Sequence, residues 1–170
     1  MSTAASEKTA TPTGLVPSVL PRVLQEGYGP GAWHGPDLKA ALSDVTAKLA
    51  FWRPAPGRHN IAEIALHHAY FVRSVNAQLS GTVPKPFVLE GEDWFELSGT
   101  GSLTWSKVRD VVDAEQRTLA MTISKLASGR LRPPALDVEP FDLVLGITCH
   151  AIYHAGQVQL IKKLGEAKAG

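Results

Sequence analysis

Cysteine is almost missing from this chain. Cys149 stands alone among 170 residues, so no intrachain disulfide can form, and nothing points to an oxidising compartment. Long apolar runs are missing as well. No uninterrupted stretch approaches the ~18 residues that a membrane-spanning helix needs. Neither sign of charge is in excess. Lys and Arg number 17 against 16 Asp and Glu, a formal net charge of +1, so there is no global electrostatic footprint for nucleic acid or an anionic membrane. No solenoid-type repeat occurs, and the period-two alternation of strands is weak. Residues 1–14 are rich in Ala, Ser and Thr, carry Glu7 and Lys8 and hold no apolar core segment. They do not read as a secretory signal and are expected to form a flexible tail. These absences leave a cytoplasmic protein for a small-molecule substrate, with neither nucleic acid nor membrane expected as a partner.

What is present is a globular balance, 44% hydrophobic and 19% charged, in a length that suits one domain over 15–165. The apolar residues recur at helical spacing. Val16, Val19, Leu20, Val23 and Leu24 form a short stripe from about Pro17 or Pro21 to Glu26. Proline is tolerated in a first turn, and Gly27, Gly29 and Gly31 end the stripe. Pro36 and Asp37 open a helix with Leu38, Ala41, Leu42, Val45, Leu49 and Trp52 on one side. Asn60 and Glu63 make an approximate capping box for a helix that reaches about Leu79, closed by Gly81. Ser102 or Thr104 caps the next, which carries Val108, Val112, Leu119 and Ile123. The last runs from about Phe141 to Gly165. The expected fold is all-α: a four-helix bundle with a short extra N-terminal helix and long inter-helix loops. The connection 82–102 is long enough to be functional or to allow a crossover, and its acidic turn Glu90-Gly91-Glu92-Asp93 beside Trp94 and Phe95 is a candidate to lie over the bundle end.

The chemistry lies in the histidines. His150 and His154 are four apart within a helical run, so their imidazoles lie about 40° apart on one face and can grip a single metal ion. Ile147, Cys149, Ile152 and Tyr153 make their surroundings apolar. Burying two imidazoles there without partners would cost on the order of a few kcal/mol, which a metal removes. His67 or His68, in the helix begun at Asn60, supplies a third ligand, and periodicity does not choose between them. Three histidines leave a coordination position open, as catalytic sites do. Gln157 continues the stripe and is a weak catalytic candidate, able either to orient a ligand or to make an interhelix hydrogen bond. Glu63 is another, as partner or base one turn from His67, with helix capping the simpler account. Trp33 and His34, set among Gly and Pro, either plug the bundle end or form a lid that contributes to cofactor binding. Gly156 is expected to let another helix approach closely. Cys149 is expected to pack rather than react.

Three segments resemble the DinB-like superfamily of four-helix-bundle proteins. They are Trp33-His34-Gly35-Pro36, then Asn60-Ile61-Ala62-Glu63-Ile64-Ala65-Leu66-His67, and His150-Ala151-Ile152-Tyr153-His154-Ala155-Gly156-Gln157. The resemblance covers about 30–165 and is most specific in the last segment, an H-x-x-x-H-x-G-Q pattern. It implies that His67, His150 and His154 hold a divalent metal, zinc or nickel. Some characterised relatives are thiol-dependent transferases using bacillithiol, mycothiol or glutathione, and many form dimers. The resemblance thus implies S-transferase or hydrolase chemistry, a low-molecular-weight thiol as possible cofactor and a homodimer. The rival expectation is a non-catalytic metal- or small-molecule-binding stress-response protein.

Overall fold

The computed structural model describes residues 16–101 and 103–169, and among these it is helical with no strand. The expected 1–14 tail and the expected cap at Ser102 lie outside the described residues. Among the described residues six helices follow one another: α1 (Val16–Gly27), α2 (Leu38–Ser43), α3 (Ala47–Ala50), α4 (Ile61–Ser80), α5 (Trp105–Ala127) and α6 (Pro140–Ala169). α4 packs on α5 and α6, and α1 packs on the same two helices. The short N-terminal helix therefore fills the fourth place of the bundle. Pro21 lies inside it rather than at its start.

The single helix expected over 38–52 is instead two short ones. Ser43 Oγ donates back to the Ala40 carbonyl at 2.8 Å, and Thr46 Oγ1 accepts from Leu49 N at 3.3 Å as a fresh N-cap. Short polar side chains competing for backbone groups break the helix here. The freed Val45 carbonyl accepts from the indole of Trp105 at 2.7 Å. The apolar stripe survives the break, with Leu38, Ala41, Leu42, Val45 and Ala50 all buried.

α4 forms as its capping signals direct. Asn60 and Glu63 complete the box, and Gly81 takes a left-handed φ of 68°. Thr104 caps α5, accepting from Lys107 N. α6 passes straight through Gly165, where a helix end was expected. A Cβ at that position would stand 2.6 Å from Leu49 Cδ1, so the glycine admits α3 rather than ending α6. Gly156 has open space where a Cβ would lie, contrary to the expected close approach. The tight crossing falls at Gly27, where a Cβ would meet Ala151 Cβ at 2.9 Å.

Two apolar clusters fill the interior. One holds Leu20, Leu24, Val72, Val75, Leu79, Leu119, Ile123, Val144 and Ile147. The other gathers α2, α3, the first half of α4 and the far half of α6, with Phe95, Leu97 and Leu103 from the long connection. None of the helices among the described residues is long and apolar enough to cross a membrane.

Candidate metal centre

The second half of the bundle carries its polar groups inside. Asn60, Glu63, His67, His68, Gln116 and His154 are all buried. α4 delivers His67 and His68 from its second turn. α6 delivers His150 and His154 one turn apart on its inner side, while the neighbouring Tyr153 and Cys149 are exposed. Cys149 was expected to pack inside. It faces outward because α6 meets its neighbours along one side only.

The ring nitrogens of His67, His150 and His154 converge on one point. His67 Nε2 lies 3.1 Å from His150 Nε2, and His154 Nε2 lies 3.0 Å from the same atom. His150 Nε2 bears at most one proton, so it cannot satisfy both neighbours by hydrogen bonding. Three imidazole nitrogens at about 2.0–2.1 Å from a tetrahedral ion would sit about 3.3 Å apart. The donor set therefore fits a divalent metal with little movement, and these three residues are the group of His, Cys, Asp or Glu found placed to hold an ion among the described residues. Burial pushes His150 and His154 down to about 4; His154 and His67 add to the effect at His150, while at His154 the Gln157 hydrogen bond opposes it and His67 and His59 add to it. Burial lowers His67 as well, and holds His68 well below its ordinary value. All four are neutral near pH 7, the form a ligand requires.

Two of the three ligand rings have their other nitrogen fixed. His67 Nδ1 donates to Asp93, whose backbone and carboxylate oxygens both lie at 3.0 Å. Asp93 reaches this position with φ of 66°, in the left-handed region. His154 Nδ1 donates to Gln157 Oε1 at 2.6 Å. Each bond leaves Nε2 as the lone-pair side facing the centre. Gln157 thus touches a ligand ring.

Glu63 does different work. Its carboxylate pairs with the Arg53 guanidinium through two contacts, one of 3.0 Å and one shorter. It also accepts from Leu97 N at 2.8 Å and Asn60 N at 3.3 Å, and His59 Nδ1 approaches it at 3.2 Å. Asn60 Nδ2 donates to the Leu97 carbonyl at 2.7 Å. With its oxygens so engaged, Glu63 clamps two loops to the start of α4. Trp94, from the long connection, lies flat between two imidazoles, 3.8 Å from His67 and 3.6 Å from His59. Trp33 and His34 are not brought to the three histidines. Trp33 is 91% exposed, its N–H bonds to Glu26, and His34 Nε2 donates to the Glu26 carbonyl at 2.8 Å. They secure the chain leaving α1.

The sequence placed the 90–93 turn and Trp94 over the bundle end without giving Asp93 or Trp94 a contact with a ligand, and it did not single out His59. The acidic 90–93 turn beside an aromatic pair was the available signal. His59 gave none, sitting one residue before a helix cap in a loop.

Beside the centre opens a pocket of about 500 Å³, walled by Ile64, Trp94, Tyr153, His154, Gln157 and Leu160, with Arg58 and His59 also lining it. A helical bundle with three convergent imidazoles and a pocket against one of them defines a class: small helical proteins with a three-histidine metal site. The profile of the DinB superfamily matches residues 32–158, and the chain belongs to that superfamily. No curated protein and no solved structure matches it.

Proposed function

We propose that this chain is a metal-dependent enzyme acting on a small molecule, through S-transfer from a low-molecular-weight thiol or through hydrolysis. The observation that carries the reading is the convergence of the His67, His150 and His154 Nε2 atoms where His154 also lines the pocket. Three protein ligands leave a position for a fourth group. A divalent metal there, zinc or nickel by family resemblance, supplies the Lewis acidity that lowers the pKa of a thiol or a water.

The chain's own residues do the rest. Asp93 and Gln157 hold two imidazoles with Nε2 turned inward. Trp94 covers one face of His67 and walls the pocket, limiting water on that side. The walls are largely apolar, so the reading takes a substrate with an apolar body. Arg58, exposed beside the pocket, suits an anionic end on that substrate or on the thiol. A cytoplasmic setting and a homodimer accompany the reading as further proposals.

The test begins with elemental mass spectrometry of untagged protein. About one equivalent of zinc or nickel, absent from His150→Ala, supports the site. Loaded protein is then assayed with thiols paired to soluble electrophiles, and with esters and amides for hydrolysis. Turnover that disappears in His150→Ala supports an enzyme. One equivalent of metal with no turnover across both panels points to the non-catalytic binding protein instead.

A further inference from the structure

Two of the three ligand rings owe their tautomer to an oxygen at Nδ1. The third, His150, has no oxygen there among its described partners. Its Nδ1 lies 3.1 Å from His68 Nδ1, and His68 is fully buried. On the far side of His68, its Nε2 lies 2.7 Å from the amide nitrogen of Gln116. The Gln116 amide oxygen is buried and has no hydrogen-bond partner.

We infer that His68 is a positioning residue for the metal centre: its Nδ1 accepts from His150 Nδ1–H, and Gln116 in turn fixes the His68 ring. The inference rests on the metal reading above. Only one proton may lie between the two Nδ1 atoms, and it belongs to one ring or the other. If His68 donates, His150 carries its own proton on Nε2 and cannot be a ligand through that atom. If His150 donates, Nε2 is free for the ion. His68 must then carry its proton on Nε2, where it needs an acceptor. Gln116 supplies one after a half-turn of its amide, which brings the unpartnered oxygen to His68 Nε2. That half-turn exchanges one unpartnered amide atom for the other, so hydrogen bonding alone does not choose between the arrangements. Metal ligation by His150 does choose. The chain from centre to core is then His150 Nδ1–H to His68 Nδ1, and His68 Nε2–H to Gln116 Oε1. The neighbouring histidines on α4 thus divide the work, His67 as ligand and His68 as the support of a ligand on another helix.

The test is a zinc competition titration against a chromogenic chelator, using wild type, His68→Phe and His68→Asn. Phe keeps a ring but removes the acceptor. Asn keeps an oxygen near the place of Nδ1. Loss of a partner of this kind weakens metal binding about 10- to 100-fold. His68→Phe is expected to show that loss and His68→Asn to recover most of it. Affinity in His68→Phe within twofold of wild type overturns the inference. A second readout on the unsubstituted protein covers the case in which His68→Phe does not fold. In a long-range proton–nitrogen NMR spectrum of the zinc-loaded chain, His68 is expected as the Nε2–H tautomer. An Nδ1–H tautomer there overturns the inference. Wild type that binds neither zinc nor, in the same titration, nickel defeats the metal reading itself, whereas binding without sensitivity to His68 defeats only this step.

Discussion

The two halves of the bundle are built from the same helices and differ in what they bury. Around the C-terminal turns of α4, the interior is the aliphatic set from Leu20 to Ile147. Around its N-terminal turns, the interior holds a carboxylate, an asparagine, a glutamine and a cluster of imidazoles. The aliphatic half needs only shape and apolar area. The polar half needs a partner for each buried donor and acceptor, and it draws those partners from loops: Arg53 and His59 before α4, Asp93 and Leu97 before α5. The buried polar groups are thus gathered at one end of shared helices, within that end's own apolar cluster.

Five substitutions or conditions test that division, from the largest effect to the smallest. His154→Ala is expected to abolish metal binding outright, read as stoichiometry by elemental mass spectrometry. Leu119→Ala in the other half is expected to cost about 2–5 kcal/mol in urea denaturation and to leave the stoichiometry unchanged. Metal loss from Leu119→Ala would show that the halves are not independent. Arg53→Ala leaves the Glu63 carboxylate buried without its cation. The expected cost is about 3 kcal/mol, at the low end for breaking such a pair because Arg53 is one-third exposed. A denaturation midpoint equal to wild type would show the clamp to be dispensable.

The metal-free protein is expected to weaken in acid. His150 and His154 titrate near 4 when folded and near 6.5 when unfolded. Between those values the unfolded chain binds more protons, so stability is full above about 6.5 and falls as pH drops toward about 4. Urea midpoints of chelator-treated protein at pH 7, 6 and 5 measure this. A His150→Leu, His154→Leu double variant is expected to flatten the slope. The smallest effect belongs to Gly156→Ala. A methyl there meets nothing within 4 Å, so removing a mid-helix glycine is expected to stabilise by about 0.5–1 kcal/mol. A loss of stability instead would show that something packs on that face in solution.

The helices carrying the ligands were legible because their signals are local. The capping box at Asn60 and Glu63, Gly81 at the helix end and Thr104 each act within a few residues. The i, i+4 pair His150 and His154 was equally local. Periodicity left His67 and His68 undecided because adjacent residues on a buried helix both face inward. Family resemblance selected His67, and the geometry places it with the other two. The errors came from contacts between elements. Gly165 reads as a stop until Leu49 is seen against it, and Ser43 to Thr46 read as continuous helix until their side chains are seen bonding the backbone. The bond from Asp93 to His67 was out of reach, because a loop residue's partner 26 positions away leaves no periodic trace.

The stack of Trp94 between His59 and His67 ties the long connection to the state of the centre. An indole face attracts positive charge, and an imidazole that donates its lone pair to a divalent ion becomes more cationic. Filling the site is therefore expected to tighten the grip of His67 on Trp94 and, through it, on the segment from Thr82 to Gly101. That segment becomes an occupancy gauge. A protease that cuts within it is expected to act more slowly on the zinc-loaded protein than on the chelated one, and Trp94→Leu is expected to narrow the difference.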